Sequence, residues 1–184
     1  MENKTEMDAA AKETYTLLVS RLHSGSSVHI GTLVSAAAWL AGASLYRSFN
    51  FKDTMLPPGT VAPVSEEANQ EWPRLMNMLL AILKANGLEL DQAKFVMDTP
   101  EQHKPHKPIL EMETELQEPF NQIMRKHGLD YRLGAFAGAI ACAYVILKSR
   151  LLVDPHITCG LAALGFIGAS KTVPPPLDVD ETPI

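Results

Sequence analysis

His103 and His106, in the run His-Lys-Pro-His, form the one spacing in this 184-residue chain that resembles a pair of metal ligands. Glu111, Glu115 and Glu118 follow at four- and three-residue spacing on one helical face. Carboxylates placed there could complete a His/carboxylate set for a divalent ion. Against this, Pro105 and Pro108 stiffen the run, and nothing in the sequence turns the imidazoles toward the helix. The plainer reading is a polar loop followed by a solvated acidic face, so no metal ligand is assigned.

Other candidate groups meet similarly plain readings. His29 and His156 each stand at the start of a small-residue helix, where backbone N–H groups favour anions. They open similar stretches, VHIGTLVSAAAWLAG and PHITCGLAALGFIGA. Were the two stretches a duplication, both histidines could line one pocket; two separate polar caps are the simpler expectation. Glu66, Glu67 and Glu71 lie beside Trp72. A desolvated carboxylate pair against an aromatic can divide acid and base roles. Acidic residues opening a helix are explained more simply by its dipole. The serines lack a G-x-S-x-G context, and no phosphate-binding glycine loop is present. No residue is therefore assigned a catalytic or cofactor-binding role, and no cofactor is expected.

Cys142 and Cys159 sit in apolar small-residue runs, where free cysteine behaves as a small buried hydrophobe. There is no C-x-x-C pattern, so neither zinc nor redox chemistry is indicated. The net charge is -5 and basic residues are dispersed, which speaks against nucleic acid as a partner. The polar N-terminal stretch lacks the apolar core of a signal peptide, and a cytoplasmic setting is expected.

The elements that must position these groups read as helices. Residues 7–22 carry an apolar stripe of Tyr15, Leu17, Leu18 and Leu22, with Asp8 as the expected cap. A break at 23–27 follows, with Gly25 as the turn and Ser26 or Ser27 as the next cap. Residues 28–46 hold one stripe of large residues and one of small ones: Gly31, Ser35, Ala38 and Gly42. A small stripe admits the backbone of another helix. Ser65 should cap a helix running to about Asn86, with Pro73 inside it and Gly87 as its stop. Residues 88–108 read as irregular. A helix over 109–128 carries Pro119. Asp130 caps one over 131–150, whose small stripe is Gly134, Gly138 and Ala141. Asp154-Pro155 opens a last helix to about Ser170. The remainder, 171–184, is Pro-rich and acidic and is expected to be extended or disordered.

This pattern predicts an all-α single-domain helical bundle of five or six helices over residues 1–170. The helices beginning near Val28, Tyr131 and Pro155 should lie at its centre, with the Glu66 helix packed on them. Residues 24–46 hold no charged side chain and are long enough to span a bilayer. The segments near 133–147 and 155–170 read as too short, and the alanines and serines of the first segment dilute it. Burial inside a bundle explains all three together. Phe51, Met55, Phe95 and Met97 lie in loop-like segments and are expected to pack as lids over the helix ends.

These features predict a non-enzymatic assembly or regulatory module that acts through helix association. Its expected partner is a second copy, in a homodimer across Gly31, Ser35, Ala38 and Gly42. The alternative is a ligand-binding or metal-dependent enzyme with its site between the helices and the long loops.

Overall fold

The computed structural model describes residues 3–24, 27–49, 56–62 and 66–177. Among them six α-helices pack into one bundle: α1 (Lys4–Arg21), α2 (Ile30–Ser48), α3 (Glu66–Ala85), α4 (Ile109–Lys126), α5 (Tyr131–Ser149) and α6 (Pro155–Ala169). The one sheet among the described residues is a two-stranded antiparallel pair, β1 (His23–Ser24) with β2 (Ser27–Val28), at the expected break. The all-α bundle read from the sequence is the architecture observed.

Helix α2 is the axis of the fold. Fifteen of its residues are buried, and it packs along α5 and α6, while α1, α3 and α4 complete the surround. The small stripes make these approaches possible. A Cβ built at Gly42 would stand 2.6 Å from the Ala169 Cβ, one at Gly165 2.6 Å from the Ala38 Cβ, and one at Gly138 2.9 Å from the Ala41 Cβ. The stripe Gly31, Ser35, Ala38 and Gly42 is thus buried inside one chain, and the dimer surface assigned to it is corrected: its partners are intramolecular. Gly42→Leu is accordingly expected to lower the unfolding free energy by about 1–3 kcal/mol, by overpacking against α6. Chemical denaturation checks this; a variant as stable as the parent would show that α6 yields freely.

Local capping follows the sequence where the cap is self-contained. Asp130 accepts from the Leu133 N–H at 2.8 Å, and Asp154 from the His156 N–H at 2.9 Å, with Pro155 in the first turn. Gly87 and Gly128 take positive φ values of 79° and 64° and end α3 and α4. Two caps are corrected. Asp8 lies within α1, where it holds Lys12 at 2.6 Å and accepts from the Tyr144 hydroxyl. At α2 the polar cap expected at His29 is the one observed, and the serine also expected there is corrected. The expected cap at Ser65, the turn at Gly25 and the lid residues Phe51 and Met55 lie outside the described residues. Pro73 and Pro119 are accommodated inside α3 and α4.

Residues 171–177 are extended, and 173–175 are buried. Backbone bonds Ala62 N–H to Lys171 O, Val173 N–H to Thr60 O and Gly59 N–H to Val173 O tie this strap to residues 59–62. Among the described helices, α5 is long and apolar enough to cross a membrane by length and composition, with 67% of its apolar window buried in the bundle. The structure thus lengthens the 133–147 candidate, whereas the 28–46 segment becomes the central helix α2.

Candidate functional site

The sequence-derived candidates disperse. No group of three or more His, Cys, Asp or Glu side chains able to hold a metal ion occurs among the described residues. Two of the three carboxylates beyond His106 are engaged with cations instead, Glu115 with Lys107 at 3.2 Å and Glu118 with Arg125 at 3.0 Å, while Glu111 is exposed. Glu71 binds Arg132 at 2.7 Å and Arg74 at 3.2 Å, while Glu66 and Glu67 are exposed. Glu66 and Glu67 thus stand in the first turn of α3, as the dipole reading expects, and Trp72 packs against the core.

His29 and His106 do meet, as stacked rings with centroids 3.5 Å apart and planes 15° apart. The Thr32 N–H reaches His29 Nδ1 at 3.2 Å, so that nitrogen must accept. This leaves the proton on Nε2, which donates to Gln102 O at 3.0 Å. His106 N–H donates in turn to Thr32 Oγ1 at 3.0 Å. The arrangement fastens the 99–108 segment to the start of α2. His156 lies apart, bonded to Asp154 and tilted against Phe95 at 6.3 Å. The Val96 N–H donates to His156 O at 3.1 Å. One irregular segment thus covers the starts of both α2 and α6, and the histidines share no pocket. Phe95 packs against the core as a lid, but Met97 is 45% exposed and does not.

The thiols are free and buried. Burial pushes Cys142 well above the usual thiol range and Cys159 up to about 12, which makes both poor nucleophiles.

An open groove of about 670 Å³ lies between α1 and α5, reaching the end of α3. Tyr15, Leu147 and Leu151 give it an apolar lining, and Lys12, Lys148 and Arg150 a cationic rim. Tyr144 donates to Asp8, which also holds Lys12, so one wall is fixed in place. Burial and the Asp8 bond push the Tyr144 hydroxyl up to about 12, so it stays a donor. Lys148 and Arg150 form no ion pair among the described residues. Beside them, in the turn from α5 to α6, Leu151 is 92% exposed and Leu152 76%. Isolated exposed leucines are common, but an adjacent pair beside unpaired cations is an unusual surface.

A second feature escaped the sequence reading. Glu113, Gln117 and Asn121 lie at four-residue spacing on α4 and are all buried, Glu113 to 3% exposure. Trp39 Nε1–H donates to Glu113 Oε2 at 2.7 Å, in a tight seam with Leu40 and Met112 that has no room for a water. Desolvation pushes the Glu113 carboxyl up to about 7, against the opposing pull of Trp39 and Arg47. The sequence carried no signal for it: Glu111, Glu115 and Glu118 on the same helix likewise have no cation four residues on.

No family model, curated protein or solved structure matches this chain.

Proposed function

We propose that this chain is a non-enzymatic assembly module, and that it pairs with a second copy of itself through the groove between α1 and α5. The observation that carries the reading is the exposed Leu151–Leu152 pair set beside the unpaired cations Lys148 and Arg150. Complementary chemistry lies on the same molecule. The outward face of α4 presents Leu110, Glu111, Thr114 and Glu115 around a shallow apolar hollow. A leucine flanked by carboxylates suits a leucine-lined groove rimmed by cations, both in area removed from water and in charge.

A groove-to-α4 contact made once leaves both surfaces free on the outer copies and would propagate. Made twice about a two-fold axis, it closes as a dimer. A dimer held this way needs no vacant site in its core, in keeping with the filled seam between α2 and α4. A reducing, cytoplasmic setting fits the two free, buried thiols.

Light scattering across a concentration series tests the reading. The parent chain is expected to be dimeric at tens of micromolar. Leu151→Asp with Leu152→Asp should weaken the dimer at least about a hundredfold, because each leucine fully removed from water contributes about 1.5–3 kcal/mol and each counts twice in a two-fold dimer. Arg150→Glu should weaken it less and remove part of its salt dependence, and Glu111→Arg in the same chain should restore it. A strict monomer at several hundred micromolar overturns the proposal.

A further inference from the structure

We propose that Arg47 is a two-position latch on the C-terminal strap 171–177: it holds Pro175 while Glu113 carries a proton, and turns to Glu113 when that proton is lost, loosening the strap. This device is separate from the groove and does not depend on dimer formation.

The argument is hydrogen-bond accounting in a buried place. Arg47 Nη2–H donates to Pro175 O, from the last turn of α2 to the strap. Its Nε–H is buried and has no acceptor. Glu113 accepts from Trp39 at Oε2, while its Oε1 is buried and has no donor. Once Glu113 is ionised, an unmet donor and an unmet acceptor are thus left on two side chains that interact electrostatically, yet in the observed arrangement they form no ion pair. Each unmet group is costly, and turning Arg47 toward Glu113 would satisfy both at the expense of the Pro175 bond. Two arrangements of similar hydrogen-bond content are therefore available, as a switch requires.

The charge on Glu113 sets the balance between them. A neutral carboxyl gives Arg47 little reason to leave Pro175, whereas a carboxylate in a dry seam attracts the guanidinium strongly. The surrounding titratable and charged groups are few. Tyr46 on α2 and Tyr131 at the start of α5 act on Arg47. Lys171 is the charged residue of the described strap, and α6 presents Gly168 to Trp39. The carboxyl's raised value, about 7, places the change in a mild pH range.

Amide hydrogen exchange on the full chain tests this, with protection factors corrected for the intrinsic pH dependence of exchange. The Val173 N–H, bonded to Thr60 O, reports the strap, and the Leu40 N–H in α2 reports the core. In the parent chain, Val173 protection should stay below that of Leu40, whose protection follows global stability, and should fall about tenfold from about pH 5.5 to about pH 8.5, consistent with a carboxyl titrating between those limits. Glu113→Gln should abolish the fall, and Arg47→Met should give low Val173 protection at both pH values. Unchanged Val173 protection in the parent chain overturns the latch, and so does Val173 protection equal to that of Leu40 at both pH values, which would make its exchange global unfolding, or the same fall in Glu113→Gln. The parent-chain comparison needs no variant to fold.

Discussion

Gly31→Ala and Gly160→Ala are each expected to destabilise the chain by about 3 kcal/mol, at the upper end of ordinary overpacking. The sign is the informative part. Inside a helix, alanine is normally better than glycine by about 1 kcal/mol, so both changes would stabilise α2 and α6 if nothing lay against them. Here a Cβ at Gly31 would stand 1.8 Å from His103 O, and one at Gly160 would stand 2.1 Å from Val96 O. Both obstacles are backbone oxygens that no rotamer change can move. Each belongs to the irregular segment between α3 and α4. That segment is held by the His29–Gln102 bond, the His29–His106 stack and the Val96–His156 bond. Adding a methyl must lift the segment and sacrifice part of that network. Gly134→Ala is the control, since its nearest neighbours are Met124 Cγ at 3.1 Å and Sδ at 3.3 Å, in a side chain that can turn aside. It should be neutral or gain up to about 1 kcal/mol. Thermal unfolding separates the cases: the two close-contact variants should melt on the order of 10 °C lower. Should all three variants gain stability together, the segment is not seated on the helices.

These glycines show what the sequence could and could not convey. The small residues Gly31, Ser35, Ala38 and Gly42 announced close approach by their spacing, because only small residues admit a neighbouring backbone. It did not announce whose backbone. The approach is made within one chain, by α6 and by His103, so a stripe that suggested a partner proved to be interior. Asp130 and Asp154 were legible because a cap acts over two or three residues. Asp8 was misread because its partner Tyr144 lies on another helix. His29 was legible as a polar cap from its place at a helix start, although a neighbouring serine was expected to share that role. The His103/His106 spacing invited a metal, but the turn instead spends His106 on a ring stack with His29. Glu113 was the least legible: beside the apolar series Met112, Leu116, Phe120 and Met124 it looks like the edge of a solvated face. Its burial depends on Trp39, which is 74 residues away.

That same distant burial gives Glu113→Gln the second large effect, one visible only as a function of pH. The folded carboxyl, pushed by desolvation up to about 7 from an ordinary 4.5, holds a proton that the unfolded chain has already released between those values. The native state binds more protons in that window, so stability falls as pH rises through it, and the full penalty stands above about pH 7. The displacement corresponds to about 3 kcal/mol between pH 4.5 and pH 8. Glutamine keeps an acceptor for the Trp39 N–H but carries no charge, so the pH-dependent loss should vanish. Its second amide nitrogen needs a partner in a seam with no water, which offsets part of the gain. The variant is therefore expected to be more stable than the parent by about 1–2 kcal/mol at pH 8, and equal or slightly less stable near pH 5. The depressed carboxyls Asp8, Glu13 and Asp154 act in the opposite sense and titrate below this window, so the difference between variant and parent isolates Glu113. Urea denaturation across pH checks it. A variant that loses stability mainly at pH 8 would mean that the carboxylate is ionised and well paired at neutral pH, and that the seam stabilises charge instead of excluding it.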